Sequence, residues 1–155
     1  MPIRVRRLHY DYSWPTFQFS PAGGTQAQQL QLDPDAYFEF VAWSFAQQPG
    51  AAAPLGATMQ IVDQSTGWQF SNAPIFLNNF ASVGNNGSLA PGSTTALGAQ
   101  YASPLVVPFI FRPSTQLLAT FVMPAPGGSG LIYYQLTLKG FKIYPIDQIE
   151  QAQAA

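Results

Sequence analysis

Short segments in which apolar and polar residues alternate recur along the chain, separated by Pro, Gly, Asn and Asp. Leu30 and Leu32, for example, stand between glutamines. A period of two is expected where one face of a strand is buried and the other is not. The pattern predicts an all-β domain with little helix and these strands: Arg4–Tyr12, Thr16–Phe19, Gln28–Leu32, Tyr37–Ala46, Thr58–Asp63, Trp68–Phe70, Pro74–Leu77, Leu105–Phe111, Gln116–Met123 and Leu131–Tyr144.

The segment Tyr37–Ala46 (YFEFVAWSFA) is apolar at both odd and even positions. A strand with this pattern is expected to be covered on both faces, by the core and by something else. A helix is the competing interpretation, because ten mixed aromatic residues do not define a period. Aromatic and β-branched residues outnumber helix formers here, which favours the strand.

The last predicted strand contains a change of pattern at Gly140. Before it, the apolar residues fall on even positions such as Leu136 and Leu138, and after it on Phe141 and Ile143. One extra residue in a strand shifts the parity in this way, so we expect a β-bulge or sharp bend at Gly140 with φ above zero.

Two low-complexity stretches, Gln47–Ala57 and Ser82–Ser103, are expected to be exposed loops, and the second is longer than ordinary connections. The segment 125–130 (APGGSG) is expected to be a flexible turn. We predict one domain over residues 1–146 and a polar tail over 147–155 that is helical or disordered.

Charge is unusually scarce, since Lys, Arg, Asp and Glu make up 8% of the residues and the net charge is −1. Ordinary domains have roughly a quarter charged residues, and a net charge near zero promotes association. The polar surface must come from residues such as the 16 Gln. No stretch approaches the ~18 apolar residues of a membrane span, and no signal-peptide core follows the first arginines. We therefore expect neither membrane insertion nor export by a signal peptide.

The residues available for catalysis are few: the chain has no Cys and one His. His9 lies in a predicted strand, where an exposed or hydrogen-bonded role is favoured over catalysis. Asp33 and Asp35 flank Pro34 and favour a turn over a calcium loop, because other oxygen ligands are missing. The segment Asp63–Gly67 is expected to be a hairpin turn. We predict no catalytic residue, no cofactor, no metal ligand and no enzymatic activity.

Binding motifs are equally sparse. Arg4, Arg6 and Arg7 form the only basic cluster, too small for nucleic-acid binding, for which many phosphate contacts are needed. The pairs Gly23-Gly24 and Gly127-Gly128 lack the context of a phosphate-binding loop. Several aromatic residues are candidates either for stacking on a sugar or for the core and interfaces, and sequence does not separate these roles: Tyr10, Tyr12, Trp14, Trp43, Trp68, Tyr133 and Tyr134.

Four segments together resemble small virion proteins of tailed bacteriophages that decorate or cement the capsid. They are LQLDPDAYFEFVAWSF (30–45), MQIVDQSTGWQFSNAPIFL (59–77), PLVVPFIFRPSTQLLATFVM (104–123) and YYQLTLKGFKIYP (133–145). The resemblance implies an antiparallel β-sandwich, jelly-roll-like, with a structural role and no cofactor. Its partners would be the major capsid protein and copies of itself in a homo-oligomer, on a virion assembled in the host cytoplasm.

A capsid decoration protein that binds the lattice through uncharged surface is therefore the leading hypothesis. The expected contact segments are Arg4–Phe19, Ser82–Ser103 and the loop 47–57. A carbohydrate or host-receptor binding module of the phage tail is the alternative, because β-sandwiches commonly present aromatic platforms to sugars. A small hydrolase ranks far below both.

Overall fold

A computed structural model describes residues 5–48, 57–76, 103–125 and 131–145. Within these ranges the protein is all-β, without a helix. The strands are β1 (Val5–Ser13), β2 (Phe17–Phe19), β3 (Gly24–Gln31), β4 (Tyr37–Gln48), β5 (Thr58–Asp63), β6 (Ile75–Phe76), β7 (Ser103–Phe111), β8 (Gln116–Met123) and β9 (Ile132–Pro145).

The strands form two antiparallel sheets that pack against each other, which confirms the predicted β-sandwich. Sheet A has the order β1-β9-β4-β7, and β2 pairs with β9 beyond the end of β1. Sheet B has the order β3-β8-β5-β6. The central strands are β9 and β4 in sheet A, and β8 and β5 in sheet B, so each of these four strands pairs with a neighbour on both sides.

The core lies between the sheets, and half of its buried side chains are aromatic. In β5 and β8 every second side chain is buried, as the alternating sequence requires. Phe121 of sheet B stacks on Tyr134 of sheet A with ring centroids 5.0 Å apart, and Phe19 lies 5.0 Å from Phe121. Such ring pairs contribute about 0.5–1.5 kcal/mol beyond the burial of their area, so they are a specific link between the sheets.

A β-bulge in β4 explains why this strand is apolar at both parities. Phe40 pairs with Gly140 and Ala42 with Lys139, so Val41 is the extra residue opposite β9. Phe38 and Phe40 point into the core before the bulge, and Trp43 is buried after it. On the outward face Tyr37 is 44% exposed, so the cover predicted for the second face is not supplied there by the described residues of the chain itself and stays a prediction.

Gly140 lies opposite this bulge, but the extra residue is not in its own strand. The inward parity of β9 continues without a shift through Leu138, Gly140 and Lys142, which are all buried. The φ of Gly140 is not in the left-handed region; instead, a Cβ there would clash with the Glu39 carbonyl oxygen. Close approach of the β4 backbone, rather than positive φ, is the reason for glycine.

Most predicted strands are present with shifted ends. The strand predicted over Gln28–Leu32 begins earlier, at Gly24, because Thr25 and Ala27 also pair with β8. The strand predicted over Trp68–Phe70 is reduced to a single bridge between Val62 and Gln69, since the chain turns away after closing the hairpin.

Several expectations fall on residues outside the described ranges. These are residues 49–56 of the first loop, 82–102 of the second, 126–130 of the flexible turn and the tail 147–155.

Candidate functional site

Three turns meet at one end of the sandwich and are hydrogen-bonded to one another. The turn 32–36 joins β3 to β4, and its Asp33 carbonyl accepts a bond of 3.1 Å from the Ser114 N–H. The turn 112–115 joins β7 to β8. The Gln64 N–H, in the turn after β5, donates 2.8 Å to the carbonyl of Gln116, directly after that second turn. These two hydrogen bonds join the three turns at this end of the molecule.

A buried lysine holds the first of these turns. Lys142 of β9 is buried, and its ammonium group contacts the Asp33 carboxylate and lies 3.6 Å from that of Asp35. The same ammonium group is 4.2 Å from the centre of the Tyr10 ring. Tyr12 donates a 3.1 Å hydrogen bond to Asp33. The Asp33–Asp35 segment is thus the turn that the sequence predicts. Its two carboxylates lie beside the buried ammonium group of Lys142.

The pKa values of this cluster reflect its contacts. The hydrogen bond from Lys142 is the largest cause of a lowered pKa at Asp33, although burial opposes it. Burial lowers the pKa of Lys142, but its bond to Asp33 and the nearby charges outweigh this effect and the net pKa is raised. Burial also raises the pKa of Tyr12 to about 12. Asp33 and Lys142 therefore remain ionised across the neutral range.

The outward face of sheet A contains most of the charged side chains of the described strands. Arg7 forms an ion pair with Glu39, and the Lys139 ammonium group is 2.8 Å from the Asp11 carboxylate. His9 is exposed on the same face, 3.4 Å from Asp11. Because neighbours in a strand point to opposite sides, Arg6 and Arg7 do not form one basic surface.

The outward face of sheet B, by contrast, has no charged residue among the strand positions that the structure describes. Asp63, at the end of β5, is buried on the inward side. We call this surface the neutral face; it consists of Thr25, Ala27, Gln29 and Gln31 of β3, Gln116, Leu118, Thr120 and Val122 of β8, Thr58, Gln60 and Val62 of β5, and Phe76 of β6.

Glutamine amides of the neutral face form hydrogen bonds with one another and with glutamines of the segment that follows β5. The Gln116 amide donates 3.5 Å to Gln31, and the Gln60 amide donates 3.4 Å to Gln69. Gln29 donates to Gln64 in the same manner. An amide is less costly to remove from water than an ion, so a partner can cover this face at a lower cost than a charged one. The glutamines and the scarcity of charge are visible in the sequence, but only the strand register shows that these positions lie on one surface.

The structure separates the aromatic candidates that sequence left open. Tyr12, Trp14, Trp43 and Tyr134 are buried in the core. Tyr10 and Tyr133 are partly exposed, and Tyr10 lies against Lys142. Trp68 is 44% exposed and lines a pocket.

The described residues contain no group of three or more His, Asp or Glu side chains that could hold a metal ion. They also contain no helix long and apolar enough to cross a membrane. In comparisons with known proteins, the chain has no significant match to any family, curated protein or solved structure.

Proposed function

We propose that the protein is a structural component of a bacteriophage virion that decorates or cements the capsid, and that the neutral face is its lattice contact. The observation that supports this proposal is the distribution of charge: ion pairs occupy the outward side of sheet A, while the strand positions that the structure describes on the outward side of sheet B carry no charge. The chain is only 8% charged, and most of the charged side chains of its described strands lie outward on sheet A, so the outward side of sheet B is suited to permanent burial.

The strand order agrees with a jelly-roll connectivity, which forms part of the proposal. Along the chain, β1 lies in sheet A, β3 in B, β4 in A, β5 and β6 in B, β7 in A, β8 in B and β9 in A. Double-sheet jelly rolls with eight strands occur in viral capsid proteins and in lectins. Because one fold serves several functions, this connectivity is compatible with both hypotheses and does not choose between them.

The mechanism would be additive burial. Each copy covers neutral, partly apolar surface of the major capsid protein or of another copy, and contacts that are weak singly become avid when they are arrayed on a lattice. The protein would act without a cofactor, on a virion assembled in the host cytoplasm.

A matched pair of substitutions tests which face binds. Thr120 lies outward on β8 in the centre of the neutral face, and Thr137 lies outward on β9 in the centre of sheet A. Both are half-buried. Thr120→Lys places a charge in the proposed contact and should weaken cosedimentation with undecorated capsids about tenfold or more, because an unpaired charge is costly to bury.

Thr137→Lys is the control and should bind capsids as the wild type does, since it adds a charge to a face that already has several. It loses the 2.6 Å hydrogen bond to Ser13, so the stability of both variants must be compared. Wild-type affinity in Thr120→Lys, or weakened binding in Thr137→Lys alone, would contradict the proposed orientation. No binding of the wild type to capsids would favour the carbohydrate or receptor-binding alternative.

A further inference from the structure

The turns at one end of the sandwich line a half-open pocket of about 430 Å³. One wall consists of residues between Asp63 and Trp68, and the other of Phe109–Thr115. Small-molecule sites usually have volumes of about 300–1,000 Å³ and combine aromatic lining with a few polar groups. The size and composition of this pocket fit that description.

Trp68 supplies an aromatic platform in the pocket. Its ring is parallel to that of Phe109, with an angle of 6° and 4.8 Å between the centroids. Phe70 meets it edge-on at 4.5 Å. The indole is thereby fixed in orientation and yet remains 44% exposed. Phe109 covers one face of the indole, so a sugar ring can stack only on the opposite face, and an indole held in this orientation loses little side-chain entropy on binding.

Arg112 supplies the positive charge of the lining. It is exposed and makes no ion pair with any acid in the described ranges. The Asp63 carboxylate in the opposite wall accepts bonds of 2.8 Å from the Ser65 N–H and the Thr66 hydroxyl, so it is occupied within its own turn. A guanidinium group available in this position is suited to a planar, bidentate contact with a ligand carboxylate.

Hydrogen bonds hold both walls in place before a ligand arrives. The Gln116 N–H donates 3.0 Å to the Ser65 hydroxyl and links the two walls. The Thr115 hydroxyl donates 2.8 Å to the Arg112 carbonyl. Ser114 has a φ of 61°, a conformation that non-glycine residues adopt at a cost and that its surroundings must maintain. The pocket is therefore largely preformed.

We infer that this pocket binds an acidic sugar, with Trp68 stacking on the pyranose ring and Arg112 pairing with the sugar carboxylate. This site is separate from the neutral face and goes beyond lattice binding. It would let a protein fixed to a particle attach to an acidic glycan.

Two ligands that differ at one group test the inference: methyl β-glucuronide, with a carboxylate, and methyl β-glucoside, with a hydroxymethyl group. Titration of the full chain, followed by the Trp68 indole N–H signal in NMR, should show about tenfold tighter binding of the glucuronide, because a charged hydrogen-bond pair is lost in the glucoside. Inorganic phosphate should bind more weakly than the glucuronide, because it offers no ring to stack.

Variants assign the roles, with binding measured by saturation-transfer NMR on the ligand. Arg112→Gln should remove the preference for the glucuronide and leave glucoside binding unchanged, whereas Trp68→Ala should weaken both. Lys139→Gln and Tyr133→Ala alter a charge and an exposed ring elsewhere and should have no effect. Thr120→Lys should also bind the glucuronide normally, which keeps this test independent of capsid binding.

Three results would overturn the inference: an indole signal that the glucuronide does not move, equal affinity of the wild type for both glycosides, or phosphate binding as tightly as the glucuronide. If Trp68→Ala does not fold, Arg112→Gln still decides, because Arg112 is exposed at the surface. An unchanged preference in that variant would exclude the assigned carboxylate contact.

Discussion

At the residue scale, the contact between Lys142 and Asp33 is the electrostatic interaction with the strongest expected effect on stability. The Lys142 side chain is 9% exposed, whereas Lys139 in its pair with Asp11 is 34% exposed. Only the lysine of the first pair is buried, since Asp33 itself is 41% exposed. Removing Asp33 leaves the buried ammonium group less well compensated, whereas pairs between exposed side chains contribute little. The two pairs, both formed by lysines of β9, therefore form a natural comparison.

Asp33→Asn should lower the free energy of unfolding at neutral pH by about 1–3 kcal/mol, because the buried ammonium group loses its nearest negative partner. Asp11→Asn, the matched control, should change it by less than about 1 kcal/mol. Urea unfolding of the three proteins measures both values. Equal effects of the two substitutions would show that the burial of Lys142 has no energetic importance.

The pH dependence of this difference follows from the direction of the pKa shifts. The pKa of Asp33 is lowered from its ordinary 3.8, so its stabilising effect is present above 3.8 and is lost as the pH falls through the lower folded value. The pKa of Lys142 is raised from 10.5, so its effect is complete below 10.5 and is lost at higher pH. The gap between wild type and Asp33→Asn should thus disappear in acid.

At the element scale, the pairing of β4 with β9 determines which residues can occupy position 140. The bulge at Val41 brings the backbone of β4 close to Gly140, where a Cβ would contact the Glu39 carbonyl oxygen and the Phe38 ring. Gly67 presents the opposite situation, since its φ is +76° and a Cβ there would meet nothing within 4 Å. Position 140 requires glycine because there is no room for a Cβ, whereas position 67 favours glycine because its φ is positive.

Asparagine distinguishes these two reasons, because it tolerates positive φ better than other residues but does have a Cβ. Gly140→Asn should destabilise the protein by about 3 kcal/mol or more, since the clash is with backbone that cannot move aside cheaply. Gly67→Asn should cost less than about 1 kcal/mol. Thermal or urea melts give the comparison, and a mild effect at Gly140 would refute the steric explanation.

Parts of this arrangement could be predicted from the sequence. The strands β5, β8 and β9 were recognisable because their alternation continues over six or more residues. The location of the bulge could not be predicted from the sequence. Apolar residues occupy both parities in Tyr37–Ala46, and the apolar parity also changes after Gly140. Only the register shows which of the two strands contains the extra residue.

At the scale of the whole molecule, the separation of charge between the two outward faces predicts how association responds to salt. Salt screens interactions between exposed charges, with a Debye length of about 10 Å at 0.1 M and 3 Å at 1 M. Contacts through the neutral face are apolar or neutral hydrogen bonds. Capsid binding and self-association, measured by sedimentation at both salt concentrations, should therefore persist at 1 M.

Loss of association at high salt would instead implicate the charged side of sheet A, where Arg7, Glu39, Asp11 and Lys139 are exposed or partly exposed. A monomer at both salt concentrations, without capsid binding, would contradict lattice function altogether. Neither result would affect the test of the pocket, because that uses the isolated chain and small glycosides.

The sequence by itself determined the all-β class, most of the strands and the scarcity of charge, because alternation, turn residues and composition are local properties. The tertiary structure alone decided which outward positions share a surface, that Lys142 is buried against the turn after β3, and that Trp68 remains exposed while Trp14 and Trp43 are in the core. These outcomes depend on pairing between residues far apart in the chain, and a local pattern contains no information about its distant partner.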